Sequence, residues 1–187
     1  VFTIHNLRYQ GVFGIRDVQD VLGLQDDVFT DDKLEFFGNT NYLKAGIVYA
    51  DEVTTVSPTY AEEIQTAYYG ESLDGLLRAR SNHLTGIING IDIREYNPAA
   101  DEVIAARFSA ADLAGKATCK RALQEELGLA VRPEVPVVAM ITRLSNQKGL
   151  DLVDYVIADI MHEDLQLVCL GMGEARYVNL FSWAEQN

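Results

Sequence analysis

Cysteine is nearly absent from this sequence of 187 residues, in which only Cys119 and Cys169 occur. Two distant thiols cannot build the disulfide framework of a small secreted domain, and they lack the short spacing of zinc ligands. The three histidines are also far apart, without an HxH or HExxH pattern. The composition therefore favours free, buried thiols in a reducing compartment and predicts neither a metal site nor a cofactor.

Basic residues are also scarce, with 15 Lys and Arg against 28 Asp and Glu and a net charge of -13. Both halves of the chain, divided at Asn97-Pro98, are acidic. Nucleic acids and anionic membranes attract proteins through many clustered cations, so neither is expected as a partner. A small anionic ligand stays possible, because two or three basic side chains are enough to bind one.

Long apolar runs are missing as well. The run at residues 135–141 is far shorter than the roughly 20 residues that a membrane span needs, and no signal peptide is recognisable. The chain opens on Val1-Phe2-Thr3-Ile4 without a methionine, a pattern typical of the middle of a strand. We expect a fragment of a longer protein, located in the cytoplasm, or in the plastid stroma if the source is a plant or alga.

What the sequence does contain is an alternation of strand and helix patterns, clearest in its second half. Residues 136–141 and 165–170 are short apolar runs typical of strands buried on both faces. Apolar residues at three- and four-residue spacing predict a helix over 150–161, and residues 175–186 can form another. This order predicts a βαβα unit with a parallel sheet, that is, an α/β fold.

The first half alternates in the same way. Residues 52–56 and 84–88 predict strands, a turn is expected at 89–92, and Ser57-Pro58 predicts a helix start that continues through Ala67. A further helix is expected over 112–127, ended by Gly128. The loosely patterned stretch after Asn97-Pro98 indicates a connection between domains. We therefore predict two domain parts, residues 1–97 and 98–187.

The most informative local cluster is Arg143-Leu144-Ser145-Asn146-Gln147-Lys148-Gly149, between a strand and a helix. Loops at the carboxyl ends of parallel strands line the ligand crevice, and a helix N-terminus suits phosphate. The Arg143 guanidinium fits phosphate oxygens and Lys148 adds a mobile charge, so the pair predicts a diphosphate site. The alternative is that both are solvated surface residues.

Two other loops are candidates at strand ends. Gly171-Met172-Gly173-Glu174 would let backbone approach a ligand, although glycine is also the ordinary turn residue and no third glycine completes a dinucleotide fingerprint. His5 follows the first strand and could face a crevice, or it could be a structural hydrogen-bonding residue. The aromatic residues of the first fifty positions can stack on sugars, but for most of them we expect a place in the core: Tyr9, Phe13, Phe36, Phe37, Tyr42 and Tyr49.

In combination these segments resemble the bacterial glycogen synthases and the related starch synthases, which are retaining glycosyltransferases of the two-domain GT-B type. The resemblance spans nearly the whole chain. It rests on T-I-H-N-L-R-Y-Q-G at 3–11, F-F-G-N-T-N-Y-L-K-A-G-I at 36–47, Y-A-D-E-V-T-T-V-S-P-T-Y-A-E-E-I at 49–64, G-I-I-N-G-I-D at 86–92, C-K-R-A-L-Q at 119–124 and R-L-S-N-Q-K-G at 143–149.

The resemblance implies parts of two Rossmann-like domains, the donor ADP-glucose and an α-1,4-glucan acceptor. By it, Arg143 and Lys148 would hold the donor diphosphate and stabilise the departing ADP. His5 would lie beside the transferred glucose, Asn89 would lie near the interdomain cleft, and a loop near the nucleotide would contain Gly171 and Gly173. The family usually has Asp after this second glycine, where this chain has Glu174.

Two further family elements would lie outside the chain: a Lys-Gly-Gly segment before Val1 and an acidic E-x7-E region after Asn187. We therefore expect a central fragment that is inactive by itself. One alternative is another GT-B transferase or phosphorylase with a different donor, and a second is a non-catalytic glucan-binding fragment. A dinucleotide oxidoreductase ranks last because G-x-G-x-x-G is missing.

Overall fold

The computed structural model describes residues 1–186 and divides into two compact units, Val1–Ile91 and the residues from Asp92 onward. The strands of the first unit are β1 (Phe2–Ile4), β2 (Val12–Phe13), β3 (Glu35–Phe36), β4 (Asn39–Asn41), β5 (Val53–Thr55) and β6 (Leu84–Gly86). Its helices are α1 (Ile15–Leu22), α2 (Tyr42–Tyr49), α3 (Pro58–Glu63) and α4 (Asp74–Ala79).

A parallel sheet in the order β1-β5-β6 forms the centre of the first unit. Its apolar core is built by buried residues of the strands and of the helices around them: Ile4, Leu7, Leu43, Ile47, Val53, Ile64, Leu73 and Leu77. A second, antiparallel sheet in the order β2-β4-β3 has strands of only two or three residues. Because β1, β5 and β6 are parallel, their carboxyl ends share one edge of the first sheet.

The start of α3 confirms the capping prediction. The backbone N–H of Tyr60 donates to Ser57 Oγ at 2.9 Å, and Pro58 occupies the first helical position. The predicted continuation through Ala67 is wrong, because α3 ends at Glu63. Thr66 donates both its N–H and its hydroxyl to the Glu63 carbonyl, which competes with the bond that a longer helix would make.

The segment after β6 also differs from its prediction. The strand ends at Gly86, and the turn expected at 89–92 forms at 93–96. Asp92 closes this turn, because its carboxylate accepts the N–H groups of Glu95 and Arg94 while its carbonyl accepts that of Tyr96. The same two N–H groups, with Glu95 contributing most, lower the pKa of the Asp92 carboxyl.

The second unit contains the predicted βαβα unit. Its elements are α5 (Ala114–Glu126), β7 (Val137–Ile141), α6 (Leu150–Ile160), β8 (Gln166–Leu170) and α7 (Ala175–Gln186). The strands β7 and β8 are parallel and pair from Val137↔Gln166 to Ile141↔Leu170. Leu144, Leu150 and Tyr177 form the buried core, against which side chains of both strands and both following helices pack. The α/β prediction is therefore confirmed in both units.

The prediction that these two strands are buried on both faces is wrong for the described residues. Val138 is 43% exposed and Ile141 is 76% exposed. Within residues 1–186, β7 and β8 pair only with each other, so both have an open edge.

The end of α5 matches its prediction. Gly128 has a φ of 67°, its N–H donates to the Glu125 carbonyl, and the N–H of Leu129 donates to the Gln124 carbonyl at 2.8 Å. These two bonds define a Schellman motif, in which the left-handed residue is usually glycine. Glycine at this position therefore ends the helix, as the sequence indicates.

The expectation that most early aromatic residues lie in the core is wrong. Of the six, only Phe36 packs against the buried core of the first unit, while the other five are exposed: Tyr9, Phe13, Phe37, Tyr42 and Tyr49. Phe13 packs on Tyr42 with ring centroids 5.3 Å apart, and Phe36 packs edge-on against Phe37 at 4.7 Å. These four rings lie on or beside the small antiparallel sheet, whose strands have only two or three residues.

The cap of α3 makes a stability prediction. Changing Ser57→Ala removes the acceptor for the Tyr60 N–H, so we expect the free energy of unfolding to fall by about 1 kcal/mol in urea denaturation. The matched control is Ser81→Ala, because Ser81 is exposed and its hydroxyl makes no hydrogen bond to the described residues. Equal stability of the two variants would contradict the assignment of the cap.

Candidate functional site

In the second unit, the loops that follow β7 and β8 continue side by side beyond the sheet. The N–H of Thr142 donates to the Leu170 carbonyl at 3.1 Å, and that of Leu144 donates to the Met172 carbonyl at 3.0 Å. Leu144 and Gly173 form a parallel bridge. The structure thus brings the loop that contains Arg143 and Lys148 against the loop of Gly171 and Gly173.

Arg143 and Lys148 are both exposed, and their side chains make no ion pair or hydrogen bond with any residue in the described range 1–186. Most other arginines of this unit are neutralised, such as Arg132 by Asp164 at 2.7 Å and Arg176 by Asp154 at 2.5 Å. Arg143 and Lys148 therefore retain an uncompensated positive charge on one loop of an acidic chain. Such a pair can attract an anion with two charged groups.

The two glycines have a structural reason that the sequence alone does not show. A Cβ on Gly171 would lie 2.0 Å from the Thr142 carbonyl oxygen, and one on Gly173 would lie 2.1 Å from that of Leu144. Any side chain would therefore push the two loops apart. Glycine is required here for the close approach of one loop to the other, whether or not a ligand binds.

The turn between Arg143 and the helix differs in detail from the expected helix N-terminus. One turn of 3₁₀ helix covers Asn146–Lys148, and Gly149 with a φ of 69° connects it to α6. Asp151 lies in the first turn of α6, where its carboxylate offsets the partial positive charge of the helix end. Attraction of an anion therefore depends more on the two cations than on the helix dipole.

Sequence reasoning missed the contacts that hold this turn. The hydroxyl of Tyr177 in α7 donates to Asn146 Oδ1 at 2.5 Å, and the Asn146 N–H donates to Glu174 Oε1 at 3.3 Å. No motif marks either residue as a partner of Asn146. The only available signal is the placement of Glu174 and Tyr177 at the start of the helix that follows the glycine loop.

In the first unit, His5 comes directly after β1 and is exposed, with no hydrogen bond to the described residues. The residues on either side of it are anchored. The buried Ile4 carbonyl accepts the Thr55 hydroxyl at 2.8 Å, and the N–H of the buried Leu7 donates to the Tyr60 hydroxyl oxygen at 3.1 Å. The fold therefore presents the imidazole at the carboxyl edge of the parallel sheet on a fixed backbone.

Asn89 is exposed three residues after β6, at the same edge as His5. Because β5 lies between β1 and β6, two strand spacings separate these strands, about 10 Å. The predicted residues thus fall into two sets. His5 and Asn89 lie at the sheet edge of the first unit, and the basic loop and the glycine loop lie at the sheet edge of the second.

A cavity of about 550 Å³ lies in the second unit, and Leu144 and Gly171 of the two loops contribute to its lining. Most of its lining is apolar, including Leu165, Cys169, Val178 and Phe181. Such a lining does not suit a diphosphate.

The thiols of Cys119 and Cys169 are both free. Partial burial raises the pKa of the Cys169 thiol. Both cysteines are half-buried, so the expectation of free thiols is confirmed and that of full burial is not.

None of the helices in the described part of the chain is long and apolar enough to cross a bilayer. Among the same residues, no group of three or more His, Cys, Asp or Glu side chains is arranged to hold a metal ion.

Comparison with known proteins gives a consistent result. The family model of the starch synthase catalytic domain matches residues 1–79. The chain is 57% identical over 181 residues to the glycogen synthase of Anaeromyxobacter sp. (strain Fw109-5), covering 97% of this chain and 38% of that protein. It is 49% identical over 183 residues to a Bacillus cereus (strain ATCC 14579) glycogen synthase, covering 98% of this chain and 38% of that protein.

Among solved structures, the catalytic domain of starch synthase IV from Arabidopsis thaliana, bound to ADP and acarbose, superposes with a TM-score of 0.89. It is 37% identical, and the match covers 99% of this chain and 38% of that one. The two units with their parallel sheets thus define an α/β protein of the GT-B type. The chain belongs to the glycogen and starch synthase family, and it spans 38% of the length of the curated relatives it matches.

The close approach of the two loops makes a second prediction. Changing Gly173→Ala places a methyl group against the Leu144 carbonyl, so we expect the free energy of unfolding to fall by about 1–3 kcal/mol in urea. Gly90→Ala is the matched control, because a Cβ there would meet nothing within 4 Å. A Gly173→Ala variant as stable as this control would show that the loops are not in contact.

The half-buried thiol of Cys169 makes a third prediction. Only the thiolate is alkylated, and burial raises the pKa of Cys169. In a Cys119→Ser variant, the rate of iodoacetamide modification should therefore rise at a higher pH in the folded protein than in urea. Identical pH profiles in the two states would contradict the burial of Cys169.

Proposed function

We propose that the full-length protein transfers glucose from ADP-glucose to the non-reducing end of an α-1,4-glucan, with retention of the anomeric configuration. In this proposal residues 1–97 belong to the acceptor-side domain, and residues 98–187 form the hinge and the first part of the nucleotide-sugar domain. The enzyme would act in the cytoplasm or the plastid stroma. Support comes from the relatives named glycogen synthase and from the similar structure described as bound to ADP and acarbose.

The observation that carries the proposal is the pair of unneutralised cations, Arg143 and Lys148, on the loop after β7. In a chain with a net charge of -13, two such cations on one loop would favour a small, doubly charged anion. The diphosphate of a nucleotide sugar matches that requirement. Arg143 can donate two parallel hydrogen bonds to phosphate oxygens, and Lys148 can add a point charge.

Bond breaking would use the same two residues. As the bond between the anomeric carbon and the diphosphate oxygen breaks, negative charge develops on the departing ADP, and fixed cations stabilise that charge more than they stabilise the bound substrate. His5 would lie beside the transferred glucose and fix its position, and Asn89 would contribute near the cleft. Gly171 and Gly173 would keep the neighbouring loop close to the nucleotide.

Retention would then follow from attack on the face that ADP leaves. The acceptor hydroxyl of the glucan forms the new bond to the anomeric carbon, and its proton passes to the leaving diphosphate oxygen. We assign no covalent nucleophile. Exclusion of water from the site would protect the glucosyl group from hydrolysis.

The test is glucosyl transfer by the full-length protein with Lys148→Ala. Removing one fixed donor from a developing anion typically reduces kcat by about 10²-fold, and we expect a loss of that order in kcat/KM for ADP-glucose. Arg121→Ala is the control, because Arg121 is an exposed cation of the same unit whose nearest carboxylate, on Glu125, is 3.8 Å away. Unchanged transfer by Lys148→Ala would overturn the assignment of the diphosphate site.

A second candidate is a GT-B transferase or phosphorylase with another donor, since two cations recognise a phosphate group whatever is attached to it. Assays with ADP-glucose, UDP-glucose and glucose 1-phosphate separate these possibilities. A third candidate, glucan binding without catalysis, is favoured by the exposed rings of Phe13, Tyr42 and Tyr49. Retention on immobilised glucan without turnover of any of the three donors would support it.

A further inference from the structure

Asn146 lies between the two candidate phosphate-binding cations in the sequence, and it is held by three contacts. Its side-chain oxygen accepts the Tyr177 hydroxyl at 2.5 Å, and its N–H donates to Glu174 Oε1 at 3.3 Å. Its carbonyl accepts the N–H of Gly149 at 3.1 Å, which closes the 3₁₀ turn over Asn146–Lys148. Asn146 is itself exposed, so packing does not hold it in place.

Tyr177 is well suited to hold this residue, because its ring is 0% exposed and is packed with Leu144 and Leu150 in the core of the second unit. The Arg176 guanidinium lies over the same ring at 5.1 Å and pairs with Asp154 of α6 at 2.5 Å. The ring therefore has a fixed position relative to α6 and β7. Its hydroxyl is the one polar atom of the side chain, and it is directed at Asn146.

Glu174 links the same turn to the paired loops. Its N–H donates to the Leu144 carbonyl at 2.8 Å, directly after the bridge between Leu144 and Gly173. Its carboxylate then accepts the Asn146 N–H. The turn is thus held from two sides, through a backbone amide by Glu174 and through a side chain by Tyr177.

We infer that Tyr177 is a positioning residue for the proposed diphosphate site, acting through Asn146 on the turn that bears Lys148. This inference rests on the proposed function. Lysine is long and flexible, so a mobile turn would add backbone freedom to that of the side chain, and the ammonium group would seldom lie at the correct spacing from Arg143. Fixing the turn before the donor binds lowers the ordering that binding requires.

The first test is Tyr177→Phe in the full-length protein, which keeps the buried ring and removes only the hydroxyl. Misplacing a site by about 1 Å can cost 10²-fold in rate, and we expect kcat/KM for ADP-glucose to fall by about 10-fold to 100-fold. Thermal stability should change little, because water can replace the hydroxyl at the exposed Asn146 side chain. Tyr155→Phe is the matched control, since Tyr155 is exposed on α6 and its hydroxyl makes no hydrogen bond to the described residues.

A purely structural role for Tyr177 is distinguished by a double-mutant comparison. If Tyr177 acts through Asn146, then Asn146→Ala should reproduce the loss, and adding Tyr177→Phe to it should have no further effect on kcat/KM. Independent losses that multiply in the double variant would overturn the inference. A lowered melting temperature with unchanged kcat/KM would also overturn it.

A third measurement does not depend on catalysis. Hydrogen exchange at the Lys148 and Gly149 amides, which bond to the Ser145 and Asn146 carbonyls, should be faster in Tyr177→Phe than in the wild type or in Tyr155→Phe. Unchanged exchange would overturn the positioning role. If the wild type transfers glucose from no donor, the proposed function fails. Faster exchange in Tyr177→Phe would still show that the Tyr177 hydroxyl stabilises the turn.

Discussion

The second unit depends on one constraint, the parallel pairing of β7 with β8 and its continuation beyond the strands. Backbone carbonyl and N–H groups of residues 142–144 form hydrogen bonds with those of residues 170–174, so the two loops stay paired after the strands end. The approach is so close that neither Gly171 nor Gly173 has room for a Cβ. This contact brings the glycine loop to the basic loop and brings Glu174 within reach of Asn146.

The loop that contains Arg143 and Lys148 is positively charged, although the chain as a whole is acidic. Arg132 and Arg176 are paired with carboxylates on the surface of the same unit, whereas Arg143 and Lys148 are left without partners in the described residues. The nearby Glu174 carboxylate accepts the Asn146 N–H and forms no ion pair with either cation among the described residues. The positive charge on this loop therefore remains available, which is the physical basis of the proposed diphosphate site.

Particular elements show what could be predicted. The cap of α3 at Ser57 and the end of α5 at Gly128 follow from local chemistry, and both are present. The predicted end of α3 is wrong because the Thr66 hydroxyl donates to the Glu63 carbonyl at the end of the helix, and the Arg78 guanidinium donates to the Gln65 carbonyl just beyond it. Such competition depends on residues outside the helix. The prediction that most of the early aromatic residues lie in the core is wrong, because a hydrophobicity pattern does not reveal how much core is available to bury them.

The sequence by itself determined the alternation of strands and helices, the α/β class and the segments that resemble glycogen and starch synthases, because period, caps and ordered motifs are local properties of the chain. Only the tertiary structure decided that the glycines serve loop contact and that Tyr177 reaches Asn146. The physical reason is that hydrogen bonds between residues 31 positions apart, and the space left for one Cβ, arise only when separate elements pack together.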